Sequence, residues 1–324
     1  MRKNNRKWIL ATMALSTVVA CGTREERDDD DCGKTIVVNQ EQNQEQTPYL
    51  NCWPTPPCPP DQKPCPPDQK PDQKPLPKPE CNVYMANSQL GDRTRRTAVM
   101  SSINNIEHCE VKNIFHAGDL GKDHDSWWTD VAPTLSRVGF YPSRGNEDYP
   151  WMGTSDFLKS KMPHLADKLS ACKSYYTVET TSAWATVVLD TNDECSWEEQ
   201  MKYLRKVASH GHERLDVVMH HTPYSSIKGA ETQSWIDLQG FIDASPQQNS
   251  QDLQVTVFSG VAPGYSRDKV GVVNYVTAGS AGPERGGCSH SETTETCYPD
   301  TSFVVCTKDK CLAFNRFGNE IDSF

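Results

Sequence analysis

The chain has 324 residues, with 33 basic and 43 acidic side chains, 13 cysteines and 22 prolines. Its net charge of −10 argues against nucleic acid or an anionic lipid surface as a partner, because both are recognised by clustered Lys and Arg. No Cys-x-x-Cys pair occurs, so the cysteines do not fall into a zinc module.

In chain order, the first element is a targeting segment over residues 1–20. Arg2, Lys3, Arg6 and Lys7 form a basic start, and Trp8 to Ala20 is an apolar stretch too short for a membrane-spanning helix. It runs into Val18-Val19-Ala20-Cys21-Gly22. A small residue directly before a Cys at this place resembles the lipobox of bacterial lipoproteins. That resemblance implies cleavage before Cys21 and attachment of membrane lipid, palmitate included, to Cys21. Gly22 stands where an inner-membrane retention signal has Asp, so the expected location is the cell envelope at the outer membrane. An ordinary signal peptide with a chance Cys is the bland reading. Loss of residues 1–20 leaves 29 basic side chains against 43 acidic ones. Setting aside Cys21 leaves twelve cysteines, an even number that suits a disulfide framework in an exported protein.

Residues 21–81 read as a stalk. An acidic run at Asp28 to Asp31 and a Gln-rich run at Gln40 to Gln46 precede CPPDQKP, at Cys58 to Pro64 and again at Cys65 to Pro71. Such Pro-dense repeats favour extended polyproline conformations and bury no core. Cys32, Cys52, Cys58, Cys65 and Cys81 are unusual for a plain stalk, and pair internally or link chains.

Residues 82–324 suffice for one sizeable domain. Short apolar runs predict strands at Asn82–Ala86, Lys112–His116, Val138–Tyr141, Ala185–Leu189, Asp216–Met219, Gln254–Phe258 and Val272–Thr277. SWEEQMKYLRKVASHG predicts a helix, with Ser196 and Glu199 as a capping box and Trp197, Met201, Leu204, Val207 and Ala208 on one face. The alternation indicates an α/β protein. The tail, through Cys306 and Cys311, reads as a closing hairpin that a disulfide could bridge; Cys288 and Cys297 could close a nearby loop.

Five strand exits carry polar residues, the place where sites form in open α/β sheets. They are Asn87-Ser88-Gln89, Gly118-Asp119, Gly145-Asn146-Glu147-Asp148, His220-His221-Thr222-Pro223-Tyr224, and Gly260-Val261-Ala262-Pro263-Gly264-Tyr265-Ser266-Arg267. In this order they resemble the calcineurin-like metallophosphoesterases, most closely the purple acid phosphatase-like branch. That pattern is D-x-H, G-D, G-N-H-[DE], H-x-P or H-H-P-P-Y, then G-H-x-H-G-Y-x-R. ATVVLDTNDECSWEEQMKYL is similar to the family's "LDT … Q … WL" stretch, and the resemblance covers nearly all of residues 82–324. It implies a sandwich of two mixed β-sheets flanked by helices.

The resemblance also implies two metal berths that together activate a hydroxide against a phosphate. One would use residues 87, 89, 119 and 263, which here are Asn87, Gln89, Asp119 and Pro263, with a single ionised donor. The other would use Asp119, Asn146, His220 and residue 261, here Val261, so that three donors remain. Glu147 occupies the position of the family's catalytic His and, as an anion, repels phosphate. Lys122 stands where purple enzymes have Tyr, so no iron(III) chromophore is expected.

The expected cofactor is thus none, or one weakly bound Zn, Mn or Fe. Asp119 could instead cap a turn, and His220 and His221 could be structural imidazoles. His210-Gly211-His212 mimics a metal motif but ends a helix. Trp127 and Trp128 suit core packing or a lid better than a recognition surface. Two functions follow. One is a surface-anchored pseudoenzyme serving binding or structure, toward an unidentified protein or phosphate-containing ligand. The other is a hydrolase with a single metal at Asp119, Asn146 and His220, assisted by His116, His221 or Asp148.

Overall fold

The structure, a computed structural model, describes residues 77–88, 93–120, 124–148, 160, 162–165, 175–192, 197–227, 253–260, 262, 264–279, 287–289 and 291–324. All belong to one compact unit, Lys74–Phe324. The targeting segment, Cys21, the CPPDQKP repeats, Gln89, Lys122, Val261 and Pro263 lie outside the described residues.

Two mixed sheets form the fold. The first has six strands: β1 (Glu80–Met85), β2 (Glu110–Ala117) and β3 (Gly139–Ser143) run parallel, and β11 (Ser302–Cys306), β12 (Cys311–Asn315) and β13 (Glu320–Ser323) follow antiparallel beyond β1. The second has seven: β5 (Trp184–Val188), β6 (Arg214–Met219), β7 (Gln254–Ser259) and β9 (Val273–Ala278) run parallel, flanked antiparallel by β4 (Tyr176–Thr181) on one side and by β8 (Tyr265–Val270) and β10 (Thr294–Tyr298) on the other. Helices α1 (Arg93–Asn104) and α2 (His124–Leu135) follow β1 and β2, and α3 (Trp197–Ala208) follows β5. The expected sandwich of two mixed sheets is therefore present.

Each expected strand appears, with shifted ends. β1 starts at Glu80, so Cys81 belongs to the sheet and not to the stalk: it is fully buried and bonded to Cys109. β3 runs on through Pro142 and Ser143, because an edge strand tolerates a missing N–H. The closing hairpin β11–β12 is bridged by Cys306–Cys311, and Cys288–Cys297 closes its loop, as the spacing suggested.

Alternation along the strands builds two cores. Leu215, Val217 and Met219 of β6 meet Met201, Leu204 and Val207 of α3, whereas Val218 joins Phe258, Val276, Tyr84 and Phe115 between the sheets. Among these apolar residues lies a buried ion pair. Asp216 accepts from Arg214 Nε at 3.1 Å, from Trp184 Nε1 at 2.8 Å and from the Tyr84 hydroxyl across the sandwich. Arg214 also donates to the Thr307 carbonyl at 2.9 Å, pinning the β11–β12 turn. A buried pair is tolerable when every donor is matched, as these are.

Side chains also close both flanks. On one, the Tyr176 hydroxyl of β4 donates to the Pro142 carbonyl of β3 at 2.8 Å, and His164 Nε2 caps the Phe140 carbonyl at 3.0 Å. On the other, Tyr265 and Arg267 of β8 both grip Asp322 of β13, at 2.6 and 2.8 Å. Burial alone would raise Asp322, but hydrogen bonds from Arg267 and Tyr265 outweigh it and hold the carboxyl below its ordinary 3.8.

A lowered carboxylate contributes stability above its unfolded-state value and loses it as pH falls through the folded one. Asp322→Ala should cost about 1–3 kcal/mol at pH 7, read as a lower urea midpoint. The gap from wild type should close as pH drops below the unfolded-state value, about 4.

Candidate functional site

The five polar exits meet at the carboxyl ends of β1, β2, β3, β6 and β7, and backbone contacts interlock them. The Asn87 N–H donates to the Gly118 carbonyl at 3.0 Å, and the Gly260 N–H to the His220 carbonyl at 3.0 Å. A Cβ on Gly260 would lie 1.9 Å from the Ala117 carbonyl oxygen, and one on Gly145 would lie 2.2 Å from Asp119 Oδ1, so only glycine fits at these crossings. Asp148 is fully buried and holds two exits together. Its carboxylate accepts the N–H groups of Asp119 (2.8 Å), Leu120 (2.7 Å) and Gly145 (2.8 Å). Asp119 takes a left-handed backbone at φ 61, which Asp and Asn tolerate better than other side chains.

This frame brings three of the expected residues together. His220, 1% exposed, points Nδ1 at the Ala117 carbonyl at 3.0 Å. A carbonyl only accepts, so Nδ1 carries the proton and Nε2 is turned toward the neighbouring oxygens. Nε2 lies 2.9 Å from Asn146 Oδ1 and 3.6 Å from Asp119 Oδ2. Asp119 Oδ1 accepts the Glu147 N–H at 3.1 Å, which aims the other oxygen inward. Asp119 is buried and Asn146 exposed, so the trio opens to solvent on one side. One carboxylate, one amide oxygen and one imidazole suit a single borderline cation, with water or further groups completing its shell. Among the described residues no group of three or more His, Cys, Asp and Glu is placed to hold a metal ion; the third donor here is an amide.

The other berth does not fit. Asn87 bonds through its backbone at φ 48, and the remaining positions are Gln89 and Pro263, outside the described residues. An amide pair and a proline ring add no charge to Asp119, and a divalent ion gains too little there to leave water.

The three helpers considered for catalysis each have a structural partner. Asp148 takes three backbone N–H groups. His221 pairs Nδ1 with Thr191 Oγ1 at 2.9 Å. His116 Nε2 lies 2.7 Å from Ser88 Oγ, which accepts Trp127 Nε1 at 2.6 Å. Burial pushes His116 from 6.5 to about 3, and the neighbouring His220 acts in the same direction.

Trp127 is 1% exposed and packs with Phe140, so it is core rather than lid. His210 and His212 do not converge on a site; His212 Nδ1 meets the Ser182 carbonyl at 3.1 Å. Gln200, in the first turn of α3, accepts the Asp190 N–H at 2.9 Å and donates to its carbonyl at 2.7 Å, which gives the "LDT … Q" spacing its reason. Sequence reasoning missed Ser88, whose hydroxyl anchors the β1 exit; nothing local to it signals partners at His116 and Trp127.

No family model matches the chain, and no curated protein matches it. Solved structures do. GAP50, described as the anchor in the inner membrane complex of Plasmodium, is 15% identical with a TM-score of 0.57, over 75% of this chain and 87% of that one. The Thermus thermophilus protein TT1561 is 12% identical with a TM-score of 0.46, over 74% and 100%. A putative 5'-nucleotidase from Staphylococcus aureus is 11% identical with a TM-score of 0.42, over 74% and 52%. At these identities the likeness is one of fold, and it is carried by GAP50.

His116 stays neutral in the folded protein while the unfolded chain takes up a proton below about pH 6.5. Stability should therefore fall as pH drops from 6.5 toward 3. In His116→Gln that slope should be flatter by up to about 1.4 kcal/mol per pH unit, measured by urea unfolding between pH 4 and 6.

Proposed function

We propose that the protein is an exported lipoprotein, held at the outer membrane through Cys21, whose globular unit is a degenerate calcineurin-like phosphoesterase domain of the purple acid phosphatase-like branch. Its role is binding or structural, toward a protein or phosphate-containing ligand, with at most one divalent cation (Zn, Mn or Fe) at Asp119, Asn146 and His220. The observation that carries this reading is the donor set. A single carboxylate, an amide and an imidazole converge, beside Glu147 where a phosphate would need a positive or proton-donating group. The bonds that His116, His221 and Asp148 make to Ser88, Thr191 and backbone N–H groups accord with it, because the hydrolase reading needs one of these groups to reach the substrate. The similarly folded GAP50 is described as an anchor, which accords with a non-catalytic use of the fold.

The test combines elemental analysis of the purified full chain with phosphomonoester and phosphodiester hydrolysis assays. The expected result is at most one metal per chain, abolished in Asp119→Ala and His220→Ala, with no turnover. Hydrolysis that disappears in both variants would overturn it in favour of the single-metal enzyme. For the anchor, Cys21→Ser should release the protein from the membrane fraction and end its labelling by palmitate; unchanged partitioning would exclude lipidation.

A further inference from the structure

Three disulfides occur among the described residues, and they differ in burial. Cys81, Cys109, Cys306 and Cys311 are buried, whereas Cys288 and Cys297 are both partly exposed. The exposed bridge is joined to the segment that follows His220 and His221. Cys288 forms an antiparallel bridge with Ile227. The Ser289 N–H and Oγ both donate to the Ser226 carbonyl, at 2.7 and 3.1 Å, and the Cys297 sulfur lies 3.9 Å from the same oxygen.

Ile227 is 2% exposed and reaches the last exit loop: a Cβ on Gly264 would lie 3.1 Å from Ile227 Cδ1. One short covalent loop therefore braces two of the five exits, the one carrying His220 and the one carrying positions 261 and 263. The segment is tied to the sheet as well, and there Ser226 Oγ also meets Thr294 Oγ1 of β10, inside the disulfide loop, at 2.5 Å. Asp268 of β8 accepts the Ser226 N–H at 3.0 Å and its hydroxyl at 2.5 Å. Opening the bridge would thus free residues 287–289 from Ser226 and Ile227 while leaving Ser226 tied to the sheet.

We propose that Cys288–Cys297 is a reducible clasp on the site loops, addressed by a dithiol reductant in the envelope. A thiolate of the dithiol attacks one sulfur, forming a mixed disulfide and releasing the other cysteine. The second thiol of the reductant then displaces the remaining cysteine. The dithiol leaves oxidised to a disulfide, and Cys288 and Cys297 take up the two electrons and two protons. The buried bridges lack the access that this attack requires. Reduction loosens residues 287–289 against the Ser226 carbonyl and Ile227, on the segment that follows His220 and His221.

The experiment is graded dithiothreitol treatment of the native full chain, followed by alkylation mapping and amide hydrogen exchange. Cys288 and Cys297 should be alkylated at concentrations that leave Cys81, Cys109, Cys306 and Cys311 bonded. Exchange at Ser289, whose N–H donates to the Ser226 carbonyl, should rise about tenfold or more while Ser226, β1 and β2 stay protected. Cys288→Ser/Cys297→Ser should reproduce that exchange without reductant. Simultaneous opening of all three bridges, or unchanged exchange once the clasp is open, would overturn the clasp.

Its effect on the cation rests on the berth proposed above and is read separately, as several-fold weaker Mn2+ binding in the double variant. An oxidised protein that takes up no Mn2+ would overturn the berth, whereas the clasp is decided by exchange at Ser289.

Discussion

One carboxylate organises the end of the sandwich where all five polar exits meet. Asp148 gathers the N–H groups of Asp119, Leu120 and Gly145 with no water-facing side, so the β2 and β3 exits cannot separate without stranding three donors. That contact forces the near-collision of Gly145 with Asp119, which excludes any side chain at 145. It also sets the left-handed turn at Asp119, and so the direction in which that carboxylate faces His220. The trio is a consequence of this packing as much as of its own chemistry.

Elsewhere the two sheets are joined by polar pins rather than by apolar contact alone. Tyr84 reaches across to Asp216 in the middle, Tyr176 to the Pro142 carbonyl on one flank, and Tyr265 with Arg267 to Asp322 on the other. Hydrophobic burial is indifferent to small slips of one sheet on the other, whereas these bonds are directional and fix the register. Register matters here because the site draws on both sheets: Asp119 and Asn146 follow strands of the first, His220 a strand of the second.

Much of this was legible from residues alone. The β-branched runs at β1, β2, β5, β6, β7 and β9 announce themselves because they are buried on both faces, and α3 does so through one apolar stripe. The edge strands β10 and β13 are silent. TETCY of β10 and EIDS of β13 are half-exposed, and their order comes from pairing with distant strands. Cys81 was misread because its neighbours are Pro-rich, while its partner Cys109 lies 28 residues away. In the site, the candidate ligands could be picked out by motif, but the roles of Ser88, Asp148 and Asp322 depend on partners that local composition does not reveal.

The pattern of what matches the resembled motifs, and what departs from them, then has a physical reading. Gly145 and Gly260 match because no Cβ fits, Tyr265 and Arg267 because they hold Asp322, and Gln200 because it satisfies both backbone groups of Asp190. Residue 87 departs by exchanging Asp for Asn, and at φ 48 that is the exchange the backbone tolerates best. The N–H of residue 87, which makes the contact to Gly118, is the same in either residue. The geometry of the cradle therefore testifies to folding constraints, and its chemistry is judged from the donor atoms present.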